Sequence, residues 1–115
     1  MSYRVAAASI DGKVINQHFG RASQFLIFDI DGKAFNFVET RENAPPCSLG
    51  DHHEDAMGKA VQMLSDCTIV LVSKIGSGAV QALGERGIQS YEIRDFIDKA
   101  LEKLVSSLGK GYLKS

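Results

Sequence analysis

The stretch TIVLVSKIGSG, residues 68–78, determines how the rest of the chain can be arranged. Its first part, Thr68 to Val72, is a continuous apolar run, which is typical of a strand buried on both faces of a parallel sheet. Ser73 to Gly78 is a glycine-containing loop. A short helix that stops near Gly87 follows, with its apolar residues at helical spacing: Ala79, Val80, Ala82 and Leu83. The stretch therefore predicts a strand, a loop and a helix inside an α/β fold.

Neighbouring segments continue this alternation of strand and helix. Ile88 to Ile93 predicts a strand, and Asp95 predicts the cap of a final helix. The apolar residues of this helix form one stripe that ends before Gly109: Phe96, Ile97, Ala100, Leu101, Leu104, Val105 and Leu108. Upstream, Asp51 and Glu54 have the spacing of a capping box and predict a helix that reaches about Ser65.

The first part of the chain predicts a meander of three strands: Tyr3 to Ser9, Gln24 to Ile30, and Ala34 to Thr40. Asp31-Gly32, between the second and third strands, is a signal for a two-residue hairpin turn. The third strand alternates in polarity, which predicts an edge strand with one face in water. The element order is therefore β-β-β-α-β-α-β-α.

This order predicts a single α/β domain over residues 1–115 with a ribonuclease-H-like sheet. Right-handed crossovers place three helices on the faces of a five-stranded mixed sheet. The expected strand order is 3-2-1-4-5, with strand 2 antiparallel to the rest. In such sheets, ligands bind beyond the carboxyl ends of the parallel strands. Three loops should meet there: the segment after strand 1, the Pro-Pro-Cys loop before the first helix, and the glycine loop after strand 4.

Composition argues against several classes of function. The chain has 13 Lys plus Arg against 14 Asp plus Glu, and a net charge of −1 gives no basis for binding nucleic acid. No segment reaches the roughly 18 apolar residues of a membrane span, and the N-terminus has no secretory signal pattern. Two cysteines, Cys47 and Cys67, indicate free thiols in a cytoplasmic protein. Cys67 precedes the buried strand, so we expect it to pack as a small hydrophobe.

Residues that could ligate a metal lie in two places. His18 lies in the run Ile15 to Gly20, and a neutral imidazole is a good ligand, although most loop histidines only hydrogen-bond the backbone. Cys47, His52 and His53 lie within seven positions, and thiolate and imidazole favour iron–sulfur, copper and zinc centres. These are too few for a closed site of four ligands, so any metal would have an incomplete shell. The alternative is that both histidines are solvated residues of a first helical turn.

The loop Gly76-Ser77-Gly78 ends a strand and begins a helix. Exposed amide groups at a helix start favour anions, but this pattern is neither a Walker loop nor a full dinucleotide fingerprint. Alone, it fits a tight turn between a strand and a helix equally well. Arg21 and Lys74 could add positive charge beside it, or could simply be solvated.

Two enzymatic functions lack residues that they need. A nuclease of the ribonuclease H type needs carboxylates on the central strand to hold two metal ions, whereas strand 1 offers only Val5-Ala6-Ala7-Ala8. A thiol enzyme could pair Cys47 with His18 or His52, but nothing in the sequence orients a third member. A metal-free interaction module stays open, with a protein docked in the same cleft or on the wet edge of strand 3.

Five stretches of the chain are distinctive together: Ile15 to Gly20, Phe25 to Asp29, Phe37 to Arg41, Leu64 to Gly76, and Gly87 to Leu104. They resemble the nitrogenase iron–molybdenum cofactor biosynthesis family, which includes NifX-type carriers and the C-terminal domain of the NifB maturase. The resemblance extends from about Tyr3 to Val105. It implies a ribonuclease-H-like fold that binds an anionic cluster of the iron–sulfur, iron–molybdenum or molybdenum–copper sulfide type. It also implies proteins that donate and accept the cluster.

By the same resemblance, His18 contacts the cluster, and further contacts are expected from Asn16, Phe19, Gly20, Arg21, Gly76, Ser77 and Gly78. Cys47, with His52 or His53, maps onto the family's other metal ligands. The maturase's radical-generating domain needs three closely spaced cysteines, which this chain lacks, so we expect the binding domain alone. The sequence thus predicts a small, non-catalytic cytoplasmic carrier, with the metal-free module as the alternative.

Overall fold

Strands and helices follow one another in the order that the sequence predicts. In this computed structural model, residues 2–32, 34–42 and 53–109 are described. The strands are β1 (Ser2–Ala8), β2 (Gln24–Asp31), β3 (Ala34–Glu42), β4 (Ile69–Val72) and β5 (Gln89–Glu92). The helices are α1 (His53–Met63), α2 (Ser77–Gly84) and α3 (Ile97–Gly109), and a short 3-10 turn spans Phe19–Arg21.

All five strands belong to one sheet in the order β3-β2-β1-β4-β5. β2 is antiparallel to β1 and β3, whereas β4 is parallel to β1 and β5 is parallel to β4. The predicted mixed sheet and its strand order are therefore confirmed. As a result, β1, β3, β4 and β5 all end at one side of the sheet. We call this side the carboxyl end and the opposite side the amino end.

Each face of the sheet carries its own apolar core. The α1/α2 core consists of Ala6, Ala8, Phe19, Ala22, Phe25, Ile27, Ala60, Val61, Leu64, Cys67, Val70, Val72, Ala79, Leu83 and Ile88. The α3 core, on the other face, consists of Val5, Ala7, Ile15, Leu26, Ile30, Ile69, Leu71, Ile97, Ala100, Leu101 and Leu104. Because successive strand residues point to opposite faces, β4 contributes to both cores and is buried throughout, as predicted.

The hairpin between β2 and β3 differs in one detail from the predicted turn. Asp31 pairs with Ala34 and is therefore the last residue of β2 rather than a turn residue. Gly32 has a φ of +64°, a left-handed conformation that glycine adopts without steric cost. β3 is an edge strand, as predicted. Exposure is not confined to the one predicted wet face, however, because the neighbouring residues Phe37 and Val38 are both exposed.

Two apolar residues that the helical patterns assign to the core are largely exposed. Phe96 is 51% exposed because it precedes the first residue of α3 and its backbone forms a bridge with Val14. Val80 is 43% exposed because it lies on the outer side of α2, where Ala79 and Leu83 make the buried contacts. The prediction was wrong for these two side chains, although both helices are present.

Helix starts also differ in detail from the predicted caps. Asp95 Oδ1 accepts a hydrogen bond at 2.7 Å from the N–H of its neighbour Phe96, which precedes α3, and not from an amide inside the helix. The described part of α1 begins at His53 and ends at Met63, two residues before the predicted end. The predicted cap at Asp51 lies outside the described residues. None of the described helices is long and apolar enough to span a membrane.

Candidate functional site

Residues 9–23 form a long loop that crosses the carboxyl end of the sheet. Asp11 fixes its first turn, because Oδ1 accepts hydrogen bonds from the N–H of Lys13 at 2.9 Å and the N–H of Val14 at 3.1 Å. These backbone donors hold the pKa of the Asp11 carboxyl below its ordinary value. One carboxylate therefore organises the start of the loop.

The second half of the loop runs beside the loop that follows β4. The N–H of Ser73 donates to the carbonyl of Gln17 at 3.0 Å, and the N–H of Phe19 donates to the carbonyl of Lys74 at 2.9 Å. These two bonds flank His18 and form a short parallel bridge. A further backbone bond joins this part of the chain to the loop after β5. The backbone of His18 is therefore held on both sides.

Two buried side chains anchor this part of the loop. Ile15 packs in the α3 core, whereas Phe19 packs in the α1/α2 core on the other face of the sheet. The ring of Phe19 lies 5.9 Å from the ring of Phe25, measured between centroids. Residues 16–18 consequently pass over the carboxyl end from one face to the other, and His18 is exposed between the two anchors.

The amide side chains next to His18 stabilise the loop. Asn16 Oδ1 accepts a hydrogen bond from the N–H of Ile10 at 3.0 Å, and Gln17 Oε1 accepts one from the N–H of Ser23 at 3.2 Å. Because its oxygen is held by the N–H of Ile10, the NH₂ group of Asn16 offers donors to a ligand.

An open cleft of about 300 Å³ lies at the carboxyl end and is lined by Val14, Ile15, Asn16, His18, Ser73 and Arg94. The imidazole of His18 is exposed, and no side chain or backbone group in the described part of the molecule hydrogen-bonds it. The described lining includes the positively charged residue Arg94 and no acidic residue. The cleft therefore presents a free imidazole beside a positive charge, an arrangement that suits an anionic ligand.

Arg94 is a cleft residue that sequence reasoning did not identify. It lies two positions after β5 ends at Glu92. The loop after β5 is at the carboxyl end, where ligands of such sheets bind, so its position in the chain was the available signal.

The other predicted residues near His18 lie in different places. Phe19 is buried, so its ring supports the backbone next to His18 and does not face solvent. Gly20 and Arg21 belong to the 3-10 turn that directly follows His18, and Gly20 is exposed. Of the residues predicted in this run, His18 and Asn16 line the cleft.

The predicted glycine loop begins α2 at the same end of the sheet. Gly76, Ser77 and Gly78 are exposed and do not line the cleft. Just before them, the N–H of Ile75 donates to Glu92 Oε2 at 2.9 Å, which ties this loop to the end of β5. An anion contact from these glycines stays a prediction.

The structure describes one of the two cysteines, Cys67. Cys67 is buried in the α1/α2 core close to the start of β4, and burial raises the pKa of its thiol to about 12. Its predicted packing role is confirmed. Cys47 and His52 lie outside the described residues, and for His53 only its backbone position at the start of α1 is described. Their role as metal ligands stays a prediction.

Metal ligands do not cluster in the described part of the chain. Within residues 2–32, 34–42 and 53–109, no three His, Cys, Asp or Glu side chains come together as a metal site. The cleft itself offers one candidate ligand, His18. Any cluster bound there would need ligands from elsewhere or would keep open coordination positions.

A family model and several known proteins are similar to this chain in sequence. The model of the family described as dinitrogenase iron-molybdenum cofactor matches residues 1–107. The FeMo cofactor biosynthesis protein NifB of Frankia alni is 42% identical over 107 residues, which are 90% of this chain and 21% of that protein. Protein NifX of Azotobacter vinelandii is 26% identical over 110 residues, which are 94% of this chain and 68% of that protein.

A solved structure shows the same fold. The apo form of the orange protein from Desulfovibrio gigas superposes with a TM-score of 0.70 at 22% identity, covering 91% of this chain and 88% of that one. The chain spans about a fifth of the length of the NifB proteins that it matches. Because the family model covers residues 1–107 of 115, the chain belongs to the dinitrogenase iron–molybdenum cofactor family.

Proposed function

We propose that this chain binds and carries an anionic metal–sulfur cluster, the iron–molybdenum cofactor or a precursor of it, during cofactor assembly. The observation that carries the proposal is the exposed imidazole of His18, held beside Arg94 in a cleft at the carboxyl end of the sheet. Ligands of mixed α/β sheets bind at this end. Imidazole is also a suitable ligand for iron.

The proposed site holds its cargo with few protein ligands. A permanent metal site usually closes with four, whereas the described cleft offers His18. We assign Cys47, with His52 or His53, as the further ligands, because β3 ends at the carboxyl end and residues 43–52 follow it directly. A small ligand set suits a cluster that passes from a donor protein to an acceptor protein.

Positive charge around the cleft would compensate the charge of such a cluster. Arg94 lines the cleft, and the exposed Lys74 follows directly on Ser73 in its wall. Arg21 and the amide groups near Ser77 are proposed to add to this positive field. The described lining contains no carboxylate that would directly oppose an anion inside the cleft.

The relatives support a place in cofactor biosynthesis. Two kinds of relative match most of this chain: proteins named FeMo cofactor biosynthesis protein NifB, and protein NifX. We propose carriage in the cytoplasm rather than turnover. The described cleft offers a ligand and positive charge, and no described carboxylate orients His18 as a catalytic base would require.

A metal-free interaction module is the second candidate, and the edge strand β3 favours it. Phe37 and Val38 on this strand are 56% and 41% exposed. The charged residues Glu39 and Arg41 on the same strand, and the irregular pairing between β2 and β3, work against the addition of another strand. This candidate predicts a protein that retains no metal under any anaerobic condition.

Anaerobic reconstitution with iron, sulfide and molybdate tests the proposal. We expect charge-transfer absorption in the visible range and metal that stays bound after desalting. The double variant His18→Ala with Cys47→Ser should lose both, because two proposed metal ligands are removed. Cys67→Ser is the matched control, since it removes a buried thiol in the α1/α2 core. An unchanged spectrum in the double variant would exclude these ligands.

A further inference from the structure

Arg94 lies between two acidic residues in the sequence and pairs with neither. Glu92 Oε2 accepts a hydrogen bond from the N–H of Ile75 at 2.9 Å. Asp95 Oδ2 accepts one from Nζ of Lys103 at 3.2 Å. Both neighbouring carboxylates are thus held by other donors. Arg94 is exposed, and its guanidinium has no hydrogen bond or ion pair within the described part of the chain.

Two other arginines of the chain, Arg4 and Arg41, are held in ion pairs. Arg4 binds Asp29 and Asp66, at 2.8 and 2.9 Å. Arg41 binds Glu39 and Asp66, at 2.8 and 2.7 Å. Arg94, by contrast, lines the cleft and makes no such pair within the described part of the chain.

The polar residues around Arg94 in the cleft can all donate hydrogen bonds. Asn16 Oδ1 accepts one from the N–H of Ile10, and the NH₂ group of Asn16 is a donor. Ser73 has a hydroxyl and His18 an imidazole, each of which can donate as well as accept. Together with the positive charge of Arg94, these donors suit a ligand that has several acceptor atoms and a negative charge.

We infer that Arg94 is the specificity-determining residue of this cleft. Its planar guanidinium binds two acceptor atoms of the cargo side by side and makes the cleft selective for anions, while His18 ligates the metal. This inference rests on the proposed function and adds to it the residue that recognises the anionic cargo. A guanidinium fork matches two adjacent acceptors in a way that a lysine ammonium cannot.

Titration with tetrathiomolybdate, a dianion with four sulfur acceptors, tests this role. Under anaerobic conditions, Arg94→Gln should bind this probe roughly ten- to hundredfold more weakly than the unmodified chain, as expected for the loss of a charged hydrogen-bond donor. Arg94→Lys should be intermediate because it retains the charge without the fork. The unmodified chain should also lose affinity with rising salt more steeply than Arg94→Gln.

Arg86→Gln is the matched control. Arg86 is exposed in the turn before β5, at the amino end of the sheet, so the same change of charge should leave tetrathiomolybdate affinity unchanged. Equal affinity and equal salt dependence of Arg94→Gln and the unmodified chain would overturn the role of Arg94 and leave the proposed function intact. If the unmodified chain binds neither this probe nor a reconstituted cluster, the proposed function is overturned, and this inference with it.

Discussion

Ile15 and Phe19 lie four positions apart and pack into opposite cores, Ile15 beneath α3 and Phe19 beneath α1 and α2. The three residues between them must therefore cross the carboxyl end of the sheet. Backbone hydrogen bonds to Ser73 and Lys74 hold the crossing in place. His18 is exposed as a direct result, because its neighbours are anchored and its side chain is not.

Phe19→Ala should destabilise the fold strongly. Removal of a buried phenylalanine side chain leaves a cavity and costs about 3–5 kcal/mol of the free energy of unfolding. Chemical denaturation followed by circular dichroism measures the loss. Phe37→Ala is the control, because that ring is 56% exposed and touches mainly Phe28, so its loss should cost about 1.5 kcal/mol or less. Equal losses in the two variants would show that Phe19 is not an anchor.

Asp66 should make the stability of the protein depend on pH in acid. Hydrogen bonds from Arg41, and then from Arg4, hold the pKa of its carboxyl well below the ordinary value of about 4. A carboxyl whose pKa is lowered on folding stabilises the folded state above that ordinary pKa. This contribution is lost as the pH falls through the ordinary pKa towards the lower pKa of the folded state.

Asp66→Asn should therefore lower stability near pH 7 by about 1 kcal/mol, a modest amount because the carboxylate is 45% exposed. The variant should also lose less stability than the unmodified chain between about pH 5 and 2, so that the two approach each other in acid. Thermal unfolding at a series of pH values measures this difference. Asp31→Asn, at an exposed position at the end of β2, is the control. Parallel pH profiles for Asp66→Asn and the unmodified chain would refute the role of the carboxylate.

Cys67 should resist thiol reagents in the folded protein. Burial, followed by the nearby charge of Asp66, raises the pKa of its thiol to about 12, so very little reactive thiolate is present at pH 8. In a Cys47→Ser variant, labelling should be slow until the protein is unfolded. Cys67→Ser provides the comparison, since it leaves Cys47 as the thiol that reacts. Fast labelling of Cys67 in the folded chain would contradict its placement in the α1/α2 core.

Local sequence patterns were sufficient to predict the fold but not every side chain in it. The apolar run Thr68 to Val72 specifies a strand buried on both faces, and with its flanking loops this predicted the correct strand order. Phe96 shows the limit of this reasoning. Its exposure depends on a backbone bridge to Val14, a contact across more than 80 positions that helical periodicity does not encode.

The position of the loop that carries His18 was also predictable. The sequence singled out His18 because its run of residues is distinctive, and the loop does cross the carboxyl end, whereas the binding role of His18 stays a prediction. Arg94 was not identified, because nothing nearby in the sequence marks it as free. Its freedom depends on the hydrogen bonds that Glu92 and Asp95 make to Ile75 and Lys103, and tertiary structure creates the first of these bonds.

The most direct test of His18 as a cluster ligand is the metal content of His18→Ala after anaerobic reconstitution with iron, sulfide and molybdate. Because the imidazole is exposed and makes no hydrogen bond to a described residue, the substitution should change the free energy of unfolding by no more than about 0.5 kcal/mol. We predict that the folded variant retains, after desalting, less than a tenth of the iron and molybdenum that the unmodified chain retains. Equal metal content in the two proteins would contradict the assignment of His18 as a cluster ligand.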